Sequence, residues 1–203
     1  MKEVVVASGN KGKVAEIAAS LEVLSVRVLS LEEAGAVAEA EENGQTFEAN
    51  AVLKATHYSL LTGKPCLADD SGLEVDALHG APGVYSARYA GEGVGEAACN
   101  SKLLAELAAV PPALRSARFR CVLAYVAPEG VLLTAEGSCE GEILCEPRGE
   151  GGFGYDPLFY LPSLGKSMAE LSLAEKNAVS HRGQALRNMT TKLARYFHEN
   201  RCD

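Results

Sequence analysis

The chain has 203 residues, 47% of them apolar and 23% charged, and its 19 lysines and arginines against 27 aspartates and glutamates leave a formal net charge of −8. Such usage excludes general disorder. The acidic balance argues against a nucleic-acid partner, because such a surface has to neutralise phosphates. At about 150 residues per domain, the length predicts one large domain or two closely joined lobes.

No run of apolar residues is long enough to span a bilayer, so no membrane partner is expected. The opening Met1–Ala7 stretch is too short for the apolar region of a secretory signal, which predicts a cytoplasmic protein. Cys66, Cys99, Cys121, Cys139, Cys145 and Cys202 lack Cys-x-x-Cys spacing and predict buried free thiols rather than a disulfide frame. His57, His79, His181 and His198 show no ligand spacing with them, so no zinc site is expected.

In chain order, Glu3–Ala7 reads as a β-branched strand and Lys11–Leu24 as a helix with Val14, Ile17, Ala18 and Leu21 on one face. Val26–Leu29 reads as a short strand. Thr46–Leu61 reads as a helix whose expected apolar face is Ala49, Val52, Leu53, Thr56 and Leu60. Cys66–Ala68 reads as a short strand and Leu73–Leu78 as a second one. Ala97–Ala109 is helical, with Leu103, Leu104 and Leu107. Ala117–Ala127 and Val131–Ser138 form a hairpin around Pro128-Glu129-Gly130, with Gly141–Cys145 and Leu158–Leu161 as extensions. Ser172-Leu173-Ala174-Glu175 has the form of a capping box. Leu186, Met189, Leu193 and Phe197 stripe a final helix. This order predicts an α/β protein with a mixed sheet.

Four segments carry chemistry. Ser8-Gly9-Asn10-Lys11-Gly12-Lys13 lies between a strand and a helix, where free backbone N–H groups and two lysines suit an anion; a tight turn with solvated lysines is the plain alternative. Ala68-Asp69-Asp70-Ser71-Gly72 is expected at a strand end. Its paired carboxylates suit a hard cation such as Mg²⁺ or the orientation of a water, against an ordinary Asp-rich turn. The acidic pair Glu41-Glu42 precedes Asn43-Gly44. In Gly152-Phe153-Gly154-Tyr155-Asp156-Pro157, glycines surround aromatic rings that could stack on a base or fold into the core. Finally, Lys176, His181 and Arg182 are donors near a helix start, against a solvated charge run. Together, bases clustered at glycine turns and helix starts beside paired carboxylates suggest Mg²⁺ and a polyphosphate. Composition and spacing do not reveal the reaction.

These segments, with Thr46-Phe47-Glu48-Ala49-Asn50-Ala51, Gly80-Ala81-Pro82-Gly83-Val84-Tyr85-Ser86-Ala87-Arg88-Tyr89 and Ser180-His181-Arg182-Gly183, occur in one order along almost the whole chain. In that order they resemble the Ham1/RdgB family of inosine-triphosphate pyrophosphatases, the dITP/XTP diphosphatases. The resemblance implies a two-lobed α/β fold around a long mixed β-sheet flanked by helices, of the Maf/Ham1 type, with the site between the lobes. It also implies a homodimer, a requirement for Mg²⁺, and hydrolysis of ITP, dITP or XTP to the monophosphate and pyrophosphate.

Carried onto this chain, the resemblance makes Ser8, Gly9, Asn10, Lys11, Gly12 and Lys13 the triphosphate loop. Asp70 would be the general base, with Asp69 beside it. Glu42 and Asp70 would hold Mg²⁺, with Glu41 as a neighbouring candidate because Asn43 departs from the usual Thr or Asp. Ser71 would contact substrate and Phe153 would stack on the purine. Gly154, Tyr155 and Asp156 would line the base pocket, Lys176 would reach phosphate, and His181 and Arg182 would address the base near its 6-oxo group. Asp70 would then orient or deprotonate a water aimed at the α-phosphorus. No Ser-His-Asp or Cys-His arrangement suggests a covalent nucleophile. The rival readings are a Maf-like pyrophosphatase with another base preference, a nucleotide-binding regulator without turnover, and a single-stranded nucleic-acid binder, which the charge disfavours.

Overall fold

The computed structural model describes residues 2–36 and 38–200; the Lys11 side chain and Cys202 lie outside that description. Strands β1 (Lys2–Ala7), β2 (Val26–Leu29), β3 (Cys66–Val75), β4 (Ser116–Val126), β5 (Leu132–Ile143), β6 (Phe159–Leu161) and β7 (Lys166–Ser167) form one sheet in the order β2-β1-β3-β4-β5-β6-β7. The helices are α1 (Lys11–Leu21), α2 (Phe47–Thr62), α3 (Glu96–Glu106), α4 (Leu173–Val179) and α5 (His181–Glu199), with short 3-10 turns between. The sheet is mixed. β1 runs parallel to β2, with Lys2 opposite Val26, and to β3, with Val5 opposite Cys66. β6 runs antiparallel to β5 and to β7. None of the described helices is long and apolar enough to cross a membrane.

The chain divides into two compact units. The first comprises residues 1–70, 121–137 and 182–203, and the second residues 71–120 and 138–181. The divisions fall inside β3, β4 and β5 and between His181 and Arg182.

The first unit is built on the Val4-Val5-Val6 run, buried completely as a central parallel strand requires. Ile17 and Leu21 of α1 and Leu186, Met189 and Leu193 of α5 join Val4, Val6, Leu67 and Leu123 in one core. α1 stops at Leu21 and passes into a 3-10 turn, three residues before its expected end. The second unit packs Leu103 and Leu107 against Leu73, Val75, Phe119, Phe159 and Met168. Leu103→Ala there would cost about 2–5 kcal/mol in lost burial and cavity. Cys66, Cys99, Cys121 and Cys139 are buried thiols, Cys145 is exposed, and all five are free.

Two expectations are corrected. α2 buries Phe47, Asn50, Ala51, Ala55, Tyr58 and Ser59, not the face that carries Leu53 and Leu60, which are exposed. Small residues at 51, 55 and 59 let the helix backbone approach its neighbours closely, and that steric fit outweighs the two leucines. Cys66–Ala68 and Leu73–Leu78, expected as two short strands with the aspartates at a strand end, belong to one continuous ten-residue strand up to Val75, β3, which runs straight through Asp69-Asp70-Ser71-Gly72.

Candidate active site

Asp, Ser and Gly in succession signal a turn because their side chains compete for backbone hydrogen bonds. Here the strand persists because its carboxylates find partners in place of water. Successive strand residues face opposite sides of a sheet, and Asp69 and Asp70 have different surroundings accordingly.

Asp69 is buried and anchors a group of cations in the first unit. Its Oδ2 lies 3.0 Å from Nζ of Lys13 on α1 and 3.4 Å from Nε of Arg182 on α5. Arg182 is itself buried, with Nη1 2.8 Å from Oε2 of Glu16, also buried. Burial works to raise the Asp69 carboxyl, but Lys13, Arg182 and Lys54 outweigh it and hold the group far below the usual carboxylate range. The Arg182 guanidinium is correspondingly stabilised in its charged form.

Asp70 has the opposite balance. Burial pushes its carboxyl up to about 6, against the ordinary 3.8, and the pull of Lys54 and Asn50 only moderates the rise. Asn50 is fully buried on α2 and uses both ends of its amide: Nδ2 donates to Asp70 Oδ2 at 3.1 Å, and Oδ1 accepts the Gly44 N–H at 2.8 Å. A Cβ on Gly44 would sit 2.6 Å from that Oδ1, so glycine is needed for the close approach. One helical turn on, Lys54 donates to the Asp69 carbonyl at 3.1 Å and pairs with Glu42 at 2.9 Å. Asp69, Glu42 and Asp70 together overcome burial and raise the Lys54 ammonium. Glu41 is exposed, so Glu42 is the member of the acidic pair tied to α2.

The Ser8–Lys13 segment is a helix start. Asn10 caps α1, its Oδ1 accepting from the N–H groups of Gly12 at 2.9 Å and Lys13 at 3.2 Å, while Ser8 Oγ accepts from the Asn10 N–H at 3.2 Å. Two N–H groups that an anion would use are thus held by the asparagine. Gly9 and Asn10 are exposed.

The remaining expected residues, apart from Arg182, lie in the second unit. Asp156 Oδ2 accepts from the Phe153 N–H at 2.9 Å and from Lys176 Nζ at 2.7 Å. The Lys176 ammonium lies 4.3 Å from the centre of the Phe153 ring. Tyr155 is buried and its hydroxyl donates to the Ser86 carbonyl at 2.9 Å. Asn100 Nδ2 donates to the Gly154 carbonyl at 3.0 Å. His181 is buried with its ring stacked on Phe119 at 4.7 Å. Ser71 follows Asp70 on β3 and is half-buried.

Sequence reasoning missed Glu16, Asn50 and Lys54. Asn50 and Lys54 had a signal: a polar residue inside the Thr46–Ala51 motif with a lysine four positions later, hence on the same helical face. Glu16 had none, because its partner Arg182 is 166 residues away.

The model of the Ham1 family matches residues 4–192. A protein of Desulforamulus reducens named dITP/XTP pyrophosphatase is 54% identical over 97% of this chain and 98% of its own length. One of Geobacter sulfurreducens with the same name is 56% identical over 92% and 94%. The solved structure of a HAM1 protein from Coxiella burnetii superposes with a TM-score of 0.89 at 47% identity, over 96% of this chain and all of that one. A match of this extent in sequence and backbone shows that the chain belongs to the Ham1 family.

Proposed function

We propose that this protein hydrolyses non-canonical purine nucleoside triphosphates, dITP and XTP and with them ITP, to the monophosphate and pyrophosphate, removing them from the nucleotide pool. The observation that carries the reading is the environment of Asp70. A carboxyl raised to about 6 by burial is a stronger base than an exposed aspartate yet remains largely ionised at neutral pH. Asn50 holds one of its oxygens, leaving the carboxylate fixed in orientation. The relatives named dITP/XTP pyrophosphatase support the substrate class.

In this reading Asp70 takes a proton from, or orients, the water that attacks the α-phosphorus. The Ser8–Lys13 segment and Ser71 receive the triphosphate, with Asn10 yielding its capped N–H groups. Phe153 stacks on the base. His181, Arg182 and the Gly154–Asp156 segment shape its surroundings, Arg182 acting from its fixed place beside Asp69 and Glu16.

The donor chemistry fits Mg²⁺. Glu42 and Asp70 are hard oxygen donors joined to the same short run of α2 through Lys54 and Asn50. No cluster of three or more metal-binding side chains exists among the described residues, but Mg²⁺ commonly takes only one or two carboxylates and completes its shell with water and substrate phosphates. Glu42 and Asp70 would hold the ion, which when bound supplies positive charge against the phosphate oxygens. A homodimer, implied by the family resemblance, and a cytoplasmic location, expected from the opening stretch and the free thiols, belong to the same reading. Light scattering on the purified protein tests the dimer. Product analysis with ITP and XTP tests the activity.

A further inference from the structure

One side of β5 has no neighbouring strand for most of its length. β6 pairs with β5 at Glu142 and Ile143, opposite Tyr160 and Phe159. β6 ends at Leu161, which in this antiparallel register reaches no further along β5 than residue 141. Among the described residues, 132–140 of β5 therefore have β4 on one side and no strand on the other. Such an edge offers backbone hydrogen-bonding groups to any extended chain that meets it.

Helix α5 meets this edge with side chains. Lys192 Nζ donates to the Thr134 carbonyl at 2.5 Å, and Asn188 Nδ2 donates to the Glu136 carbonyl at 3.0 Å. The two spacings match. Four helical residues rise about 6 Å and two strand residues about 6.6 Å, so side chains at i and i+4 on the helix meet alternate carbonyls of the strand. One turn further on, the Tyr196 hydroxyl donates to Glu129, in the turn that precedes β5, at 2.6 Å. A crevice of about 620 Å³ runs beside these bonds, lined by Leu133 and Ala135 of β5 and by Asn188, Lys192 and Tyr196 of α5. Side chains, rather than the helix backbone, span the gap.

We propose that Asn188 and Lys192 close the β5 edge against a second copy of this chain. They hold the Thr134 and Glu136 carbonyls as a neighbouring strand would. The occupant they exclude is the same edge of another molecule, because one strand paired antiparallel with its own copy across a twofold axis is self-complementary in donors and acceptors. Leu132-Leu133-Thr134-Ala135 carries neither charge nor proline to oppose such pairing, and Leu132 is exposed. Lys192 supplies from the helix the charge that this stretch of strand lacks.

The test is the state of association. Asn188 and Lys192 are exposed and lie outside the buried stripe of α5, so Asn188→Ala and Lys192→Met leave the core intact. Size-exclusion chromatography with light scattering gives the mass of the wild type, both single variants and the double variant over a range of concentrations. The wild type is expected to keep one mass throughout, and the double variant to reach about twice that mass or more as concentration rises. A fluorescent peptide with the sequence of residues 132–138 is expected to bind the double variant and not the wild type, read by anisotropy. A double variant that keeps the wild-type mass and leaves the peptide unbound overturns the proposal, as does a wild type that binds the peptide equally well. Should the double variant not fold, the single variants decide, and wild-type mass without peptide binding in both overturns the proposal. Conversion of ITP is measured separately and does not enter this outcome, so the inference can fail while the proposed function stands.

Discussion

Asp69 and Asp70 are neighbours on one strand, yet their carboxyls are driven in opposite directions. Asp69 is held far below its ordinary range because Lys13, Arg182 and Lys54 outweigh its burial, whereas Asp70, mainly through burial, rises to about 6. Strand alternation places one side chain among cations and the other against the Asn50 amide. Asp69 is anchored among cations, and Asp70 is the base of the proposed function.

Asp70 destabilises the fold that holds it. Its folded value of about 6 lies above the ordinary 3.8, so ionisation is disfavoured by folding at neutral pH, and the fold gains stability as pH falls from about 6 toward 3.8. Asp70→Asn is predicted to stabilise the metal-free protein at neutral pH by on the order of 2–3 kcal/mol, and to abolish hydrolysis. Urea denaturation in EDTA reads the first and turnover the second. The stability gain should shrink on acidification, as the wild-type carboxyl also becomes neutral.

Asp69 has the reverse sign. Its depressed value contributes stability that is fully present above 3.8 and is lost as pH falls below it. Removing a member of a buried ion network leaves its partners uncompensated, so Arg182→Met should destabilise by about 3–5 kcal/mol. Chemical denaturation at neutral pH measures this, and a loss below about 1 kcal/mol would show that Glu16 and Asp69 do not depend on the arginine.

Asn50 joins the segment after Glu42 to Asp70, the proposed base. Asn50→Asp keeps an acceptor for the Gly44 N–H but removes the donor to Asp70 and sets two carboxyls together. The expected result is a kcat lowered by about tenfold or more with a smaller change in KM, the scale of one misplaced catalytic hydrogen bond. A kcat equal to wild type would show that the donor plays no part in holding Asp70.

Two glycines of one loop separate strain from crowding. Gly152 and Gly154 have φ of +75° and +63°, but a Cβ at 152 meets the Asp156 carboxylate whereas one at 154 meets nothing within 4 Å. Gly154→Ala should cost about 1 kcal/mol through backbone strain. Gly152→Ala should cost about 1–3 kcal/mol more, with weaker nucleotide binding. Thermal unfolding of the two variants side by side gives the difference.

The elements with a clear period were legible in the sequence: Leu186, Met189 and Leu193 mark the buried stripe of α5, and Pro128-Glu129-Gly130 marks the turn between β4 and β5. What was not legible depends on distant partners. Nothing near Asp69 in sequence reveals that Lys13 and Arg182 will neutralise it and let β3 run on through a turn-like segment. The exposed leucines of α2 misled because the small residues at 51, 55 and 59 decide its packing. Glycine motifs drew attention to these segments of the chain, but the commitment of Lys176 to Asp156 and Phe153, and of Arg182 to Glu16 and Asp69, follows only from the folded structure.

The most direct measurement is the identity of the products. Purified protein incubated with ITP or XTP and Mg²⁺ should yield the nucleoside monophosphate and pyrophosphate in equal amounts, with dATP and GTP poorly used. Release of orthophosphate with a nucleoside diphosphate would place the cleavage at the other phosphoanhydride bond and contradict the account.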